Sequence, residues 1–213
     1  MLIARTPPLR LLASISVLFL LVSGGRAQST GGAAIIIPGI GIGQVRVGEG
    51  LDDVHRALGA PKLSDAAIGG RLFEVWRSGP AFEGRRQNGA EQLEIYFRRE
   101  ATDLHVAPTV RQIQVTSPFF RTASGISVRS TFAQVSSEFN IVVDEELTYV
   151  LNRGRSEKEI IMFVDRPRGI AFEFRNGAAA DPDAGGYCRA IHVFQPNTNP
   201  RALRNFEQAA EEE

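Results

Sequence analysis

Residues Gln44–Gly59 read QVRVGEGLDDVHRALG, and residues Gly125–Asn140 read GISVRSTFAQVSSEFN. At an offset of 81, Val45 falls on Ile126, Val47 on Val128, Leu51 on Phe132, Val54 on Val135 and Leu58 on Phe139. Alternating apolar residues followed by apolar positions at i, i+3 and i+7 predict a short extended lead-in running into an amphipathic helix. Thr131 and Gln134 have capping-box spacing, so the second helix is expected to start there: hydroxyl and amide each take a backbone N–H that the helix leaves over. Gly48 and Gly50 suggest a looser start for the first helix. Gly59 falls on Asn140, and Gly and Asn most readily take the left-handed conformation, so both helices are expected to close there.

Outward from these segments the strands repeat as well. Leu93–Phe97 and Ile170–Phe174 both alternate in polarity. Val110–Pro118 matches Cys188–Pro196 at an offset of 78, each ending in a proline that cannot donate to a continuing ladder. Leu72–Arg77 and Ile160–Val164 precede them as strand-like runs, with turns expected in Gly79–Ala90 and Arg166–Gly169. The reading is an α+β fold built by tandem duplication, each copy a short helix packed on a three- to four-stranded antiparallel meander. Repeat 1 spans 40–120 and repeat 2 spans 121–200. One such unit is small for a stable core, and two side by side would share one.

The ends read differently. Arg5 and Arg10 precede the apolar run Leu11–Val22, and Gly25-Arg26-Ala27 supplies small residues for cleavage, so residues 1–27 are expected to be a signal peptide. The run is short of the roughly 20 apolar residues of a membrane span. Residues 28–39 are expected to be a flexible leader and 201–213 an acidic tail. The mature chain should therefore be secreted or periplasmic, with no integral membrane span after cleavage. The whole chain has 24 basic and 24 acidic residues. The signal peptide holds three arginines and no acid, so the product is mildly acidic, which argues against a nucleic-acid partner.

A glycine-flanked strand-like lead-in, a helix closing in Leu58-Gly59-Ala60-Pro61 and a following meander resemble a bacterial envelope module, the SmpA/OmlA or BamE-like family. In duplicated form the layout is similar to β-lactamase-inhibitory protein. The resemblance covers roughly residues 40–197 and implies a non-enzymatic binding or scaffolding module whose partner is a protein of the cell envelope. It departs from the family in having no cysteine for lipidation after the apolar run, since Cys188 is the sole cysteine, and from the inhibitor in having no possible internal disulfide.

The residues that could carry chemistry are few. Gly39-Ile40-Gly41-Ile42-Gly43 lacks the spacing of a phosphate loop and reads as turn and strand. His55, His105 and His192 share no metal-ligand spacing, so neither a metal nor a cofactor is expected. His55 lies at the flank of the buried stripe, on a solvated helix surface. Cys188 aligns with Val110 and reads as an apolar filler. Glu94 and Glu173 are expected to face solvent. A secreted hydrolase using His55, His105 or Cys188 between the repeats is the alternative function, and a small-molecule carrier a third. For the leading reading, Tyr96, Gln112, Gln114, His192 and Phe194 are expected to project from the outer sheet face, joined by Trp76, as anchors for a partner. The competing reading buries Trp76 and Phe194 under a loop or the other copy.

Overall fold

The computed structural model describes residues 35–64, 71–77, 92–99, 106–153, 160–175 and 186–202. The expected signal peptide, the turn at 79–90, His105 and residues 203–213 lie outside the described residues. The chain is α+β. An eight-stranded antiparallel sheet runs in the order β4 (Leu63–Ser64), β5 (Arg71–Arg77), β6 (Gln92–Arg98), β7 (Thr109–Val115), β11 (Cys188–Phe194), β10 (Ile170–Arg175), β9 (Ile160–Asp165) and β8 (Val142–Val143). A small second sheet joins β1 (Ile36–Ile37), β2 (Gly41–Ile42) and β3 (Val45–Arg46). Among the described residues there are three helices: α1 (Leu51–Leu58), α2 (Phe132–Glu138) and α3 (Glu145–Leu151). Among the described residues no helix is long and apolar enough to cross a membrane.

The main core lies on one face of the large sheet. Strand residues Leu93, Ile95, Phe97, Ile113, Val115, Phe172, Phe174, Ile191 and Val193 point into it, as alternation requires. Val54 of α1 and Val135 of α2 cover them, with Ile36, Ile42 and Val45 of the small sheet. The stripe Phe132, Val135, Phe139 packs as its spacing predicts; Phe132 meets Phe163 and Phe174 at ring-centroid distances of 5.0 and 5.8 Å. The opposite face carries a second cluster, Ile160, Met162, Val164, Ala171 and Phe194, capped by Leu147 and Leu151 of α3.

The centre of the sheet has a specific register. Gln114 pairs with His192, Ile113 with Val193 and Val115 with Ile191. The β6–β7 pairing slips between Tyr96 and Phe97, leaving Arg111 as the extra residue, and the β10–β11 pairing slips between Glu173 and Phe174, leaving Arg189. Such bulges re-aim side chains locally. The helix lead-ins bond to the ends of β7 and β11 in the same way. Gly48 N–H donates to Val110 and Val110 N–H to Glu49; Arg129 N–H donates to Cys188 and Cys188 N–H to Ser130. Gly48 and Arg129 both have positive φ, 87° and 79°.

The capping box of α2 is present as expected: Gln134 N–H donates to Thr131 Oγ1 at 3.2 Å and Thr131 N–H to Gln134 Oε1 at 2.8 Å. Thr131→Ala is expected to lower stability by about 1 kcal/mol, read as a shift in the urea midpoint without a change in slope.

Two expectations are corrected, and one element is added. Ile36, inside the expected leader at 28–39, is a buried strand residue, because β1 pairs with β2 and Ile36 N–H donates to Arg121. Asn140 does not close α2 in a left-handed turn: Phe139 is extended, at φ −119°, and Asn140 N–H donates to Asp165 Oδ2 at 3.0 Å, so a carboxylate on β9 supplies the partner. α3 is an element the apolar spacing did not mark. Its signal is the start Asp144-Glu145-Glu146, where Asp144 caps Leu147 N–H at 3.0 Å and two acids favour the helix N-terminus.

Candidate functional site

Bulge and alternation together place a polar group on the second sheet face. Tyr96 projects there from β6, Gln112 and Gln114 from β7, His192 from β11 and Glu173 from β10. None of these projects into solvent. Gln112, Gln114, His192 and Phe194 are at most 2% exposed, and Tyr96 and Trp76 are buried too. This corrects the expectation of an open anchor surface: α3 closes the face at Phe194, and the chain beyond β11 returns over Gln112 and Tyr96. Trp76 is on the other face, beside Leu93, where its Nε1–H donates to the Gly59 carbonyl at 3.1 Å and closes α1 onto β5. The structure therefore brings five of the six predicted residues to one face and sends Trp76 to the other. Glu94 and Glu173 are likewise buried, not solvent-facing. Alternation gave the face of those five correctly and that of Trp76 wrongly; it carries no information on which faces are covered.

Burying charge requires partners, and the group around Glu173 supplies them. Glu173 Oε1 accepts from His192 Nε2 at 2.9 Å, and Oε2 pairs with Arg189 Nε, the bulge residue, at 3.2 Å. Burial acts to raise the Glu173 pKa. The hydrogen bond from His192, the charge His192 carries when protonated and the Arg189 guanidinium outweigh it, leaving the carboxyl below its ordinary range. On the other side of the imidazole, Gln112 Nε2 lies 3.0 Å from His192 Nδ1. Gln112 also binds the backbone of Arg201 twice: Arg201 N–H donates to Oε1 at 2.7 Å and Nε2 donates to the Arg201 carbonyl at 2.8 Å. The Arg201 guanidinium stands 5.0 Å above the Tyr96 ring. The sequence signal for this network is the alternation of polar residues with isoleucine and valine in both β7 and β11, read as solvent-facing when it marks a buried polar layer.

A second, half-exposed group joins α1 to β5. His55 Nε2 lies 2.7 Å from Glu74 Oε2, and Ser64 Oγ donates to Glu74 Oε1 at 3.0 Å. Imidazole and hydroxyl are held on opposite oxygens of one carboxylate. A nucleophile–base pair needs the hydroxyl on the imidazole with the carboxylate behind it, so this geometry is that of a tether. His55, expected on a solvated surface, is thus tied inward to a buried acid.

Cys188 is fully buried and reduced, and its Sγ donates to the Ala190 carbonyl at 3.2 Å. Burial above all, and then the charge of Glu173, push its thiol far above the ordinary range, the reverse of what a nucleophilic thiolate requires. Among the described residues no group of three or more His, Cys, Asp and Glu side chains is arranged to hold a metal.

No family model matches the sequence, and no curated protein matches it. Two solved structures are similar in part. One is an extracellular protein containing an SCP domain from Bacillus anthracis, with a TM-score of 0.40 and 8% identity over 71% of this chain and 44% of that one. The chain thus spans less than half the length of that protein. The other is the uncharacterized protein yfeY from Escherichia coli, with a TM-score of 0.36 and 11% identity over 75% of this chain and 97% of that one.

Proposed function

We propose that the chain is an exported, non-enzymatic protein-binding or scaffolding module of the cell envelope, built from two duplicated units of the BamE-like kind. Several features support the duplication. Gln114 and His192, equivalent at the offset of 78, pair with each other at the centre of the sheet. Arg111 and Arg189 are equivalent bulge residues, and Gly48 and Arg129 are equivalent positive-φ residues with matching backbone bonds. The apolar run before Ala27 supports export.

One observation carries the binding reading. β8, one of the two outer strands of the large sheet, presents Val142 and Val143 at 52% and 42% exposure, although successive strand residues point to opposite faces. An uncovered apolar edge is a template for a further strand, and its backbone groups give affinity to an extended segment of a protein partner. The buried histidine, acids and thiol, by contrast, are engaged in holding the fold.

A photoreactive side chain at Val142 in the full chain, expressed in its host, is expected to trap one discrete envelope protein. Val143→Lys should abolish that product while leaving the unfolding free energy from urea melts within about 0.5 kcal/mol of the parent, as for an exposed site. Crosslinking that is absent, or unchanged by Val143→Lys, overturns the reading.

A further inference from the structure

We propose that Gln112 and His192 form a proton-sensitive latch for the segment after β11, in which proton uptake by His192 and docking of Arg201 exclude one another. The argument begins with the Arg201 backbone, whose N–H can only donate and whose carbonyl can only accept. Contacts of 2.7 and 2.8 Å to Gln112 therefore fix which end of that amide is oxygen and which is nitrogen. The remaining Nε2 proton of Gln112 is directed at His192 Nδ1, 3.0 Å away. Nδ1 must then offer its lone pair, and the imidazole proton sits on Nε2, where it is donated to Glu173 Oε1.

A second proton, on Nδ1, sets two N–H donors against each other in a site with no solvent exposure. Turning the Gln112 amide over presents its oxygen to His192. It also presents the NH2 group to the Arg201 N–H and the oxygen to the Arg201 carbonyl, so both backbone bonds are lost. What then remains at Arg201 is its guanidinium on Tyr96 beside the packing of Ala202, while residues 195–199 stay held by Arg111 on Gln195, Asn197 N–H on the Arg166 carbonyl and Arg166 on Asn199. The charged surroundings set the balance. Glu173 on β10 favours the imidazolium, and Glu94 on β6, opposite Gln114, carries the same sign. Arg189 on β11 and Arg201 itself oppose it. The neighbours from β9 and α3, Met162, Val164, Leu147 and Leu151, are uncharged. Tyr96 faces the same side from β6, and Cys188 faces the other side of the sheet. The docked strap and a second imidazole proton therefore compete for the orientation of one amide.

The test is nitrogen-15 NMR on the full chain at pH 8 and pH 5, with amide exchange corrected for its intrinsic pH dependence. At pH 8 the His192 ring should carry its proton on Nε2. At pH 5 protection of the Arg201 amide should fall at least about tenfold, the scale of losing its two bonds to Gln112, while that of Ile113 is retained. His192→Gln bonds to both neighbours but takes up no proton, and should keep Arg201 protected at both pH values. Gln112→Met should leave Arg201 unprotected at both, which tests the latch if His192→Gln does not fold. A proton on Nδ1 at pH 8, Arg201 protection unchanged at pH 5, or an equal loss in His192→Gln overturns the proposal.

Discussion

Glu173→Ala is expected to destabilise the protein by about 3–5 kcal/mol, the scale for removing one partner from a buried ion pair. The carboxylate is 1% exposed and takes one contact on each oxygen, from His192 and from Arg189. Truncation leaves a buried imidazole donor and a largely buried guanidinium without an acceptor, and opens space beside Ala190. Urea unfolding followed by Trp76 fluorescence measures the loss. Glu173→Gln keeps the shape and an acceptor for His192, so it should cost less than Glu173→Ala; equal losses would show that volume, not charge, dominates. The pH dependence follows from the sign of the shift. The folded carboxyl lies below its unfolded value, so its contribution is fully present above the ordinary range, about pH 4.3. It is lost as pH falls through the lower folded value. The acid slope of the urea midpoint should accordingly be steeper in the parent than in Glu173→Gln.

Gly169→Ala is expected to cost about 3 kcal/mol or more. Gly169 ends the turn between β9 and β10 at φ +67°, and an added Cβ would lie 2.3 Å from the Phe194 carbonyl oxygen and 2.9 Å from Gly39 Cα. The left-handed backbone alone costs about 1–2 kcal/mol for an L side chain. The clash is with backbone, which must move, adding about 1–3 kcal/mol. The Gly169 carbonyl also accepts from Gly39 and Phe194, so the displacement loosens the small sheet from the large one. Gly48→Ala is the control: its φ is +87° but nothing lies within 4 Å of the added Cβ, so only the backbone term applies. Thermal melts should show Gly169→Ala lower than Gly48→Ala; the reverse order would remove the steric part of the argument.

Much of the fold was legible because strand and helix periods are local. The stripe Leu51, Val54, Leu58 and its counterpart Phe132, Val135, Phe139 mark one face of each helix, and the capping box at Thr131 marks a start whose hydrogen bonds are made within four residues. The strands around Ile95, Ile113, Phe172 and Ile191 could be read by alternation alone. The end of α2 could not, since Asp165, 25 residues away, takes the Asn140 N–H. Nor could α3 be read from its apolar residues; its signal was the acidic cap at Asp144.

The candidate site separates what is local from what is not. By itself the sequence determined that Gln112, Gln114 and His192 point away from Ile113 and Ile191, because successive side chains in a strand must alternate. It also determined that Cys188 sits where an aliphatic residue can sit. Only the tertiary structure decided that the polar face is closed, with α3 over Phe194 and the Arg201 backbone seated on Gln112. The physical reason is that burial belongs to the whole chain. Whether a glutamate or histidine is solvated or paired depends on segments far away in sequence, and a two-residue alternation is the same in either case.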